Sequence, residues 1–336
     1  MNQQSFEPLQ TEQVETRPAV DLSLERRRLA IPALAVSFVF LFTTVLQLVI
    51  VTLVSRLQPS LMDRDWYIWV VSMVPMYAIA MPLSLLLYRA APSDQPLAKR
   101  KLSFPVFLGL VAICFTLTYA GNFLGQLVNS IIGAITGEMP DNQLQELTMS
   151  SPLWTNLLFC GILAPIMEEI FYRKMLIDRL HRYGDLPAIL ISGVLFGLIH
   201  GNFHQFFYAA MIGMVFGFIY LRTGNILYTI ALHMCINLVG GVYSTEMLKL
   251  LDLSLLETDP LLALANSPAG LVMMLVYLAF ILVCFLGAPV ALALLFRRIR
   301  FQRSDNPLSS RQWARAALLN PGVWVLAFTV ILLFVS

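Results

Sequence analysis

The chain has 336 residues, of which 58% are hydrophobic and 12% charged. Soluble domains average about 25% charged residues, so this chain cannot cover a water-facing surface, and an ordinary cytosolic enzyme, a disordered chain and a nucleic-acid binder are excluded. The net charge of +2 says nothing as a total; the placement of the charges says a great deal.

A bilayer core takes about 20 apolar residues of helix. Nine segments fit: Leu29–Ser55, Trp66–Tyr88, Phe104–Ile132, Leu153–Tyr172, Leu186–His200, Phe206–Leu221, Ile226–Tyr243, Ala269–Phe296 and Ala316–Val335. The expected fold is all-α, a polytopic transmembrane bundle of eight to nine spans. Segments five to seven are short and rich in glycine. The last carries Asn320-Pro321-Gly322 near its start, which leaves open whether it spans or lies in the interface. Residues 1–28 are polar and basic and lack an early apolar core, so they read as a disordered cytoplasmic tail followed by a signal anchor.

Basic residues sort by side. With the N-terminus placed in the cytoplasm, 19 of the 22 Lys and Arg residues fall in cytoplasmic stretches, and only Arg56, Arg64 and Lys249 fall outside. This positive-inside bias holds loop by loop and places the C-terminus outside. Cys114, Cys160, Cys235 and Cys284 lie inside apolar segments without a Cys-x-x-Cys pair, so neither a disulfide framework nor a thiolate zinc site is indicated.

Of the 20 acidic residues, only Glu168 and Glu169 fall within an expected span. A charge in hydrocarbon costs roughly 2.5–3.5 kcal/mol on insertion scales, so an adjacent pair points to a functional site facing a cavity. Glu169 and Arg173 stand at i and i+4 and can pair on one face. Glu168 is turned about 100° away by helix geometry, which leaves it available for chemistry. Phe196 and His200 are also i and i+4, and so are His233 and Asn237. His204 follows Gly201-Asn202, where a helix breaks, and reads as loop.

A carboxylate with two histidines and an asparagine suits hydrolysis. The carboxylate takes a proton from water, and His or Asn donates to the developing oxyanion. The alternative is a zinc site with His200 and His233 as ligands and Glu168 as third ligand or as base. No His-Glu-x-x-His string is present. The same residue types also serve as proton relays in transporters, although no second half echoes the Glu-Glu segment. An inactive scaffold with the same fold is a third reading, against which the intact polar set argues.

Glu168-Glu169-x-x-x-Arg173, Phe196-x-x-x-His200 and His233-x-x-x-Asn237 together resemble the three motifs of the CAAX protease and bacteriocin-processing family, intramembrane proteases of the type II CAAX prenyl endopeptidase kind. The resemblance implies a helical membrane fold with a cavity open to the cytosol. It implies catalytic roles for Glu168, His200, His233 and Asn237, with Glu169, Arg173 and Phe196 in support. It also implies a peptide or membrane-anchored protein substrate, and leaves metallo- and glutamic-type chemistry both open. On this reading residues 29–150 are N-terminal transmembrane helices, 151–245 the catalytic core and 246–336 C-terminal helices, in a bacterial plasma membrane with lipid as surroundings.

Depth sets one condition. At 1.5 Å per residue, His233 lies roughly 10 Å and His200 roughly 20 Å from the cytoplasmic ends of their helices. The two converge with Glu168 if the fifth span starts deeper or tilts and if the fourth runs on past Arg173. With no third histidine or cysteine at hand, a metal-free site is favoured, in which Glu168 activates water and His233 and Asn237 stabilise the oxyanion.

Overall fold

The computed structural model describes residues 21–91, 96–296, 299–304 and 308–335, which form helices and no strands. In chain order the helices are α1 (Leu22–Leu57), α2 (Tyr67–Tyr88), α3 (Phe104–Thr136), the short α4 (Gln143–Ser150), α5 (Leu153–Tyr183), α6 (Asp185–Leu198), α7 (Phe203–Thr223), α8 (Ile226–Lys249), the short α9 (Leu253–Thr258) and α10 (Pro260–Asn266), α11 (Pro268–Phe296), α12 (Ser310–Leu318) and α13 (Pro321–Val335). Seven of them, α1, α2, α3, α5, α7, α8 and α11, are long and apolar enough to cross a membrane. The pair α12–α13, bent by 67°, makes an eighth if counted as one span. Large apolar side chains such as Leu48, Val283, Leu286 and Leu294 point outward, as expected where lipid replaces water.

The structure departs from the expected spans at five places, each for a local reason. Helix α1 begins at Leu22, inside the stretch expected as tail. The Asp21 carboxylate accepts from the Ser23 and Leu24 amides, capping the helix, and Arg28 pairs with Glu25 at 3.0 Å. The rest of the expected tail, residues 1–20, lies outside the described residues. Helix α5 runs on to Tyr183 rather than stopping at Tyr172. Its polar end is held by Lys174 on Asp178 at 2.5 Å, by the Tyr220 hydroxyl on Asp178 at 2.7 Å and by Arg179 donating to the Tyr88 carbonyl at 2.9 Å.

The expected fifth span, Leu186–His200, is the 14-residue helix α6. At 1.5 Å per residue it is about 21 Å long, against a hydrocarbon core of about 30 Å. It stops before Gly201, whose φ of +66° favours glycine. The Asn202 side chain then caps α7 through the Gln205 amide at 2.9 Å. His204 therefore lies in the first turn of α7 and not in a loop, and its Nε2 meets the Pro140 carbonyl at 3.0 Å. The expected ninth span breaks at Asn320, whose amide donates to the Arg26 carbonyl at 2.8 Å and the Ala316 carbonyl at 3.1 Å. Residues Ala316–Leu318 belong to α12.

Hydrogen bonds gather the basic helix ends. The Arg100 amide donates to the Thr223 carbonyl at 2.7 Å, joining the approach to α3 to the end of α7. The Leu102 amide donates to the Tyr228 hydroxyl of α8 at 3.0 Å. Arg222 pairs with Asp185, and Tyr183 donates to Glu25. The other end is tied separately. Trp69 donates to Ser151 Oγ at 2.7 Å, and Lys249 Nζ donates to the Ser151 carbonyl at 2.6 Å. Reporters fused after Lys101 and after Arg303 are therefore expected to read one side of the membrane, and a reporter after Glu257 the other. Reporters after Lys101 and Arg303 on opposite sides would contradict this arrangement.

Candidate active site

The long α5 carries both glutamates at mid-length, between two stretches of wider, i→i+5 turns, Asn156–Leu163 and Ile170–Ile177. Counting back from Tyr183 at 1.5 Å per residue sets Glu168 roughly 22 Å from the basic end. The same count from Asp185 sets His200 at about that depth, so the extension of α5 brings Glu168 level with His200, while His233, seven residues into α8 from Ile226, still counts to roughly 10 Å.

Glu169 and Arg173 form the pair that their spacing predicts, with Oε2 3.1 Å from Nε and both side chains at 0% exposure. The guanidinium also donates through Nη1 to Ser192 Oγ of α6 at 3.1 Å, and Ser192 passes its own proton to the Tyr172 carbonyl at 2.9 Å. The rings of Phe196 and Phe216 lie 4.8 and 5.5 Å from the guanidinium carbon. The second oxygen of Glu169 meets His233 Nδ1 at 3.1 Å. A carboxylate only accepts, so His233 Nδ1 carries the proton.

Glu168 takes no part in that pair. Its side chain is 13% exposed, against 0% for Glu169. Oε1 accepts a hydrogen bond of 2.6 Å from the hydroxyl of Tyr77 on α2. Oε2 faces His233 Nε2 across 3.7 Å, too far for a direct hydrogen bond. His233 thus stands between the two carboxylates with one nitrogen committed and the other open. In the neutral ring Nε2 accepts, and in the protonated ring it donates.

His200 is held by the end of α6. Its own amide donates to the Gly197 carbonyl at 3.2 Å, which leaves the Phe196 carbonyl without its helical donor. The imidazole Nδ1 fills that place at 2.8 Å. A carbonyl also only accepts, so the neutral ring keeps Nε2 as an acceptor. The Phe196 ring stands edge-on between the two imidazoles, its centroid 5.3 Å from His200 and 5.5 Å from His233. Its ring is packed over Gly213 of α7 so closely that a Cβ there would lie 3.0 Å from it.

Asn237 fills a vacancy too. Within the wide turns of α5 the Ala164 amide reaches back to the Phe159 carbonyl. The next donor in that pattern, for Cys160, falls on Pro165, which has no N–H. Asn237 Nδ2 supplies it at 2.9 Å from the Cys160 carbonyl. One of its two amide protons is thereby spent on joining α8 to α5, and one remains.

Both histidines present a free Nε2 with Nδ1 anchored, the usual posture of a metal-ligating imidazole. A zinc site needs three protein ligands at least. Among the described residues no three His, Cys, Asp or Glu side chains are grouped so as to hold an ion, and Glu169 is taken up by Arg173 and His233. The donors present do not fit zinc, and no step below passes through a metal.

Residues 150–239 match the family model described as type II CAAX prenyl endopeptidase, Rce1-like. This segment is similar to that family. It holds Glu168, Glu169, Arg173, Phe196, His200, His233 and Asn237, so the resemblance carried by the three motifs extends over the helices that bear them. Over 126 residues the chain is 32% identical to the Bacillus subtilis protein named "Putative membrane peptidase YdiL", covering 35% of this chain and 51% of that one. Over 147 residues it is 27% identical to a Lactococcus lactis UPF0177 protein, covering 43% of this chain and 77% of the relative. The chain thus spans about half the length of the first of these relatives. No solved structure matches. The matched model is described as an endopeptidase and the Bacillus relative is named a putative membrane peptidase.

Tyr77 and Ser192 escape a reading of the sequence. A tyrosine or serine in an apolar span has no spacing that marks it, and Tyr77 reaches the site from a helix distant in sequence. The different embedding of the two glutamates predicts different failures. Arg173→Ala leaves Glu169 buried without its partner, a loss of about 3–5 kcal/mol, and is expected to lower protein abundance and melting temperature sharply. Glu168→Gln keeps both close to wild type. Equal destabilisation by the two changes would contradict this division. Asn237→Ala strips the Cys160 carbonyl of its donor, costing about 1–3 kcal/mol, and should lower the melting temperature as well as any activity.

Proposed function

We propose that the protein is an intramembrane endopeptidase that cleaves a peptide, or the tail of a membrane-anchored protein, with water activated by Glu168. The observation that supports this most is the approach of Glu168 Oε2 and His233 Nε2, which face each other 3.7 Å apart without a direct hydrogen bond. There a carboxylate oxygen stands opposite an uncommitted ring nitrogen, with His200 across the Phe196 ring.

In the proposed cycle, a water donates to Glu168 Oε2 and to His200 Nε2. Glu168 takes its proton as the oxygen attacks the scissile carbonyl carbon. The carbonyl π electrons move to oxygen, and that oxyanion accepts from the protonated His233 Nε2 and from the remaining Asn237 N–H. Glu168 then returns the proton to the leaving amine as the C–N bond breaks. Glu169 keeps the His233 ring in place throughout, the part a buried carboxylate plays behind a catalytic histidine. The site faces the cytoplasm of a bacterial plasma membrane, with the N-terminus on that side, in keeping with the sorting of basic residues.

The test is purified protein in lipid nanodiscs incubated with a peptide library. Wild type is expected to cleave, and Glu168→Gln to lose about 10²–10⁴-fold in rate at unchanged abundance. His200→Ala and His233→Ala are expected to fall into the same inactive group. Undiminished cleavage by Glu168→Gln would overturn the reading. Chelator-washed protein is expected to retain its activity, and stoichiometric zinc that follows activity through washing and reloading would overturn the metal-free form.

A further inference from the structure

Tyr77 lies outside the three motifs and outside the matched segment, on α2. We infer that it is a positioning residue for Glu168, fixing which carboxylate oxygen is offered to substrate. This rests on the role proposed for Glu168. Its hydroxyl donates to Oε1 at 2.6 Å, inside the range for a strong O–H···O⁻ bond. Tyr77 itself is only 4% exposed, so water does not replace it as the donor.

The helix that carries Tyr77 is pinned to α5 both above and below the hydroxyl. Towards one end, Trp69 stacks on Phe159 with centroids 5.6 Å apart and planes 2° apart, and donates to Ser151 at 2.7 Å. Towards the other, the Tyr88 carbonyl accepts from Arg179 Nη2 at 2.9 Å and its ring meets Phe171 edge-on at 5.7 Å. Tyr77 is the middle of three clamps between the same two helices, and the outer two set the height and facing of the hydroxyl.

A regular helix would not line the three residues up. At 3.6 residues per turn, Tyr77 comes about 80° round the axis from Trp69. The stretch Val74–Ala80 has wider, i→i+5 turns. These hold more residues per turn, so the rotation per residue falls and Tyr77 swings back towards the line of Trp69. Pro75 gives the local cause, since its ring displaces the Val71 carbonyl and it brings no N–H of its own. The eleven residues from Tyr77 to Tyr88 then make close to three turns. The wide turn is thus what aims the hydroxyl at Glu168.

A carboxylate on a glutamate stem rotates about its last bond, and both oxygens are equivalent until something distinguishes them. The Tyr77 bond does so. With Oε1 occupied, Oε2 is the oxygen left facing His233 Nε2 at 3.7 Å. Without the phenol, the carboxylate is free to turn and the water it polarises loses its fixed line of attack. Misplacement of that order lowers the rate of the chemical step far more than it weakens binding of the peptide.

The experiment is Tyr77→Phe in the full chain in nanodiscs, which keeps the ring and deletes the hydroxyl. The expected result is a kcat about 10–100-fold lower, with KM within about twofold of wild type and the melting temperature unchanged. Glu168→Asp withdraws the carboxylate beyond reach of the phenol, so in that background Tyr77→Phe should change kcat by less than about twofold. A wild-type kcat in Tyr77→Phe, or the same fold-loss in both backgrounds, would overturn the inference. A loss of melting temperature that accounts for the activity would overturn it too, reducing Tyr77 to packing. A second readout does not depend on turnover: the infrared carboxylate band that disappears in Glu168→Gln should shift in Tyr77→Phe, and an unshifted band refutes the contact. If Glu168→Gln remains active, the proposed function fails; if Glu168→Gln is inactive and Tyr77→Phe is normal, only the present inference does.

Discussion

The Glu169–Arg173 ion pair is the constraint around which the centre of the molecule is arranged. Both side chains are fully buried in a helix that crosses the membrane, and neither charge can be left unanswered there. The groups around the pair come from other helices. The guanidinium takes Ser192 from α6 and the ring faces of Phe196 and Phe216 from α6 and α7, while the carboxylate takes His233 from α8. Four helices therefore meet at one charge pair. The packing that satisfies it also fixes the ring on which any chemistry at this site depends.

Adjacent positions on a helix point about 100° apart, and this turns two like residues into different instruments. Glu169 faces inward and is spent on structure. Glu168 faces the gap between α2 and α8, retains some exposure, and has one oxygen uncommitted. Had the two been i and i+4, they would have shared a face and repelled each other. As neighbours they divide the work, with His233 between them reading one through Nδ1 and the other through Nε2.

The spans and the Glu169–Arg173 pair were legible from hydropathy and spacing, because both are one-dimensional signals. The end of α5 was not: Lys174, Asp178, Arg179 and Arg182 look like a loop. Tyr220, Tyr88 and the Lys174–Asp178 pair answer the first three, and Glu25 of α1 faces Arg182, partners that sequence does not announce. The length of α6 was misread for the opposite reason. Its apolar run continues to Ile199 and the helix stops only because Gly201 and Asn202 turn the chain. Tyr77 left no trace at all, since its role depends on a contact across 91 positions.

What joins these cases is irregular helix. A uniform helix consumes its own carbonyls and has nothing to offer a side chain in mid-membrane. Here the end of α6 frees the Phe196 carbonyl, and His200 takes it, which fixes the imidazole tautomer. Pro165, just after the first wide turns of α5, leaves the Cys160 carbonyl without a backbone donor, and Asn237 takes that. Pro75 opens the turn that swings Tyr77 towards Glu168. Three of the side chains around Glu168 are thus positioned by breaks in backbone bonding. An unpaired carbonyl in hydrocarbon costs several kcal/mol, so the breaks at Phe196 and Cys160 are tolerable only while His200 and Asn237 answer them. At these two places the interruption and the residue that answers it form one unit, and replacing Pro165 by alanine, which supplies an N–H for the Cys160 carbonyl, sets a backbone donor in competition with Asn237 even though it deletes no polar group.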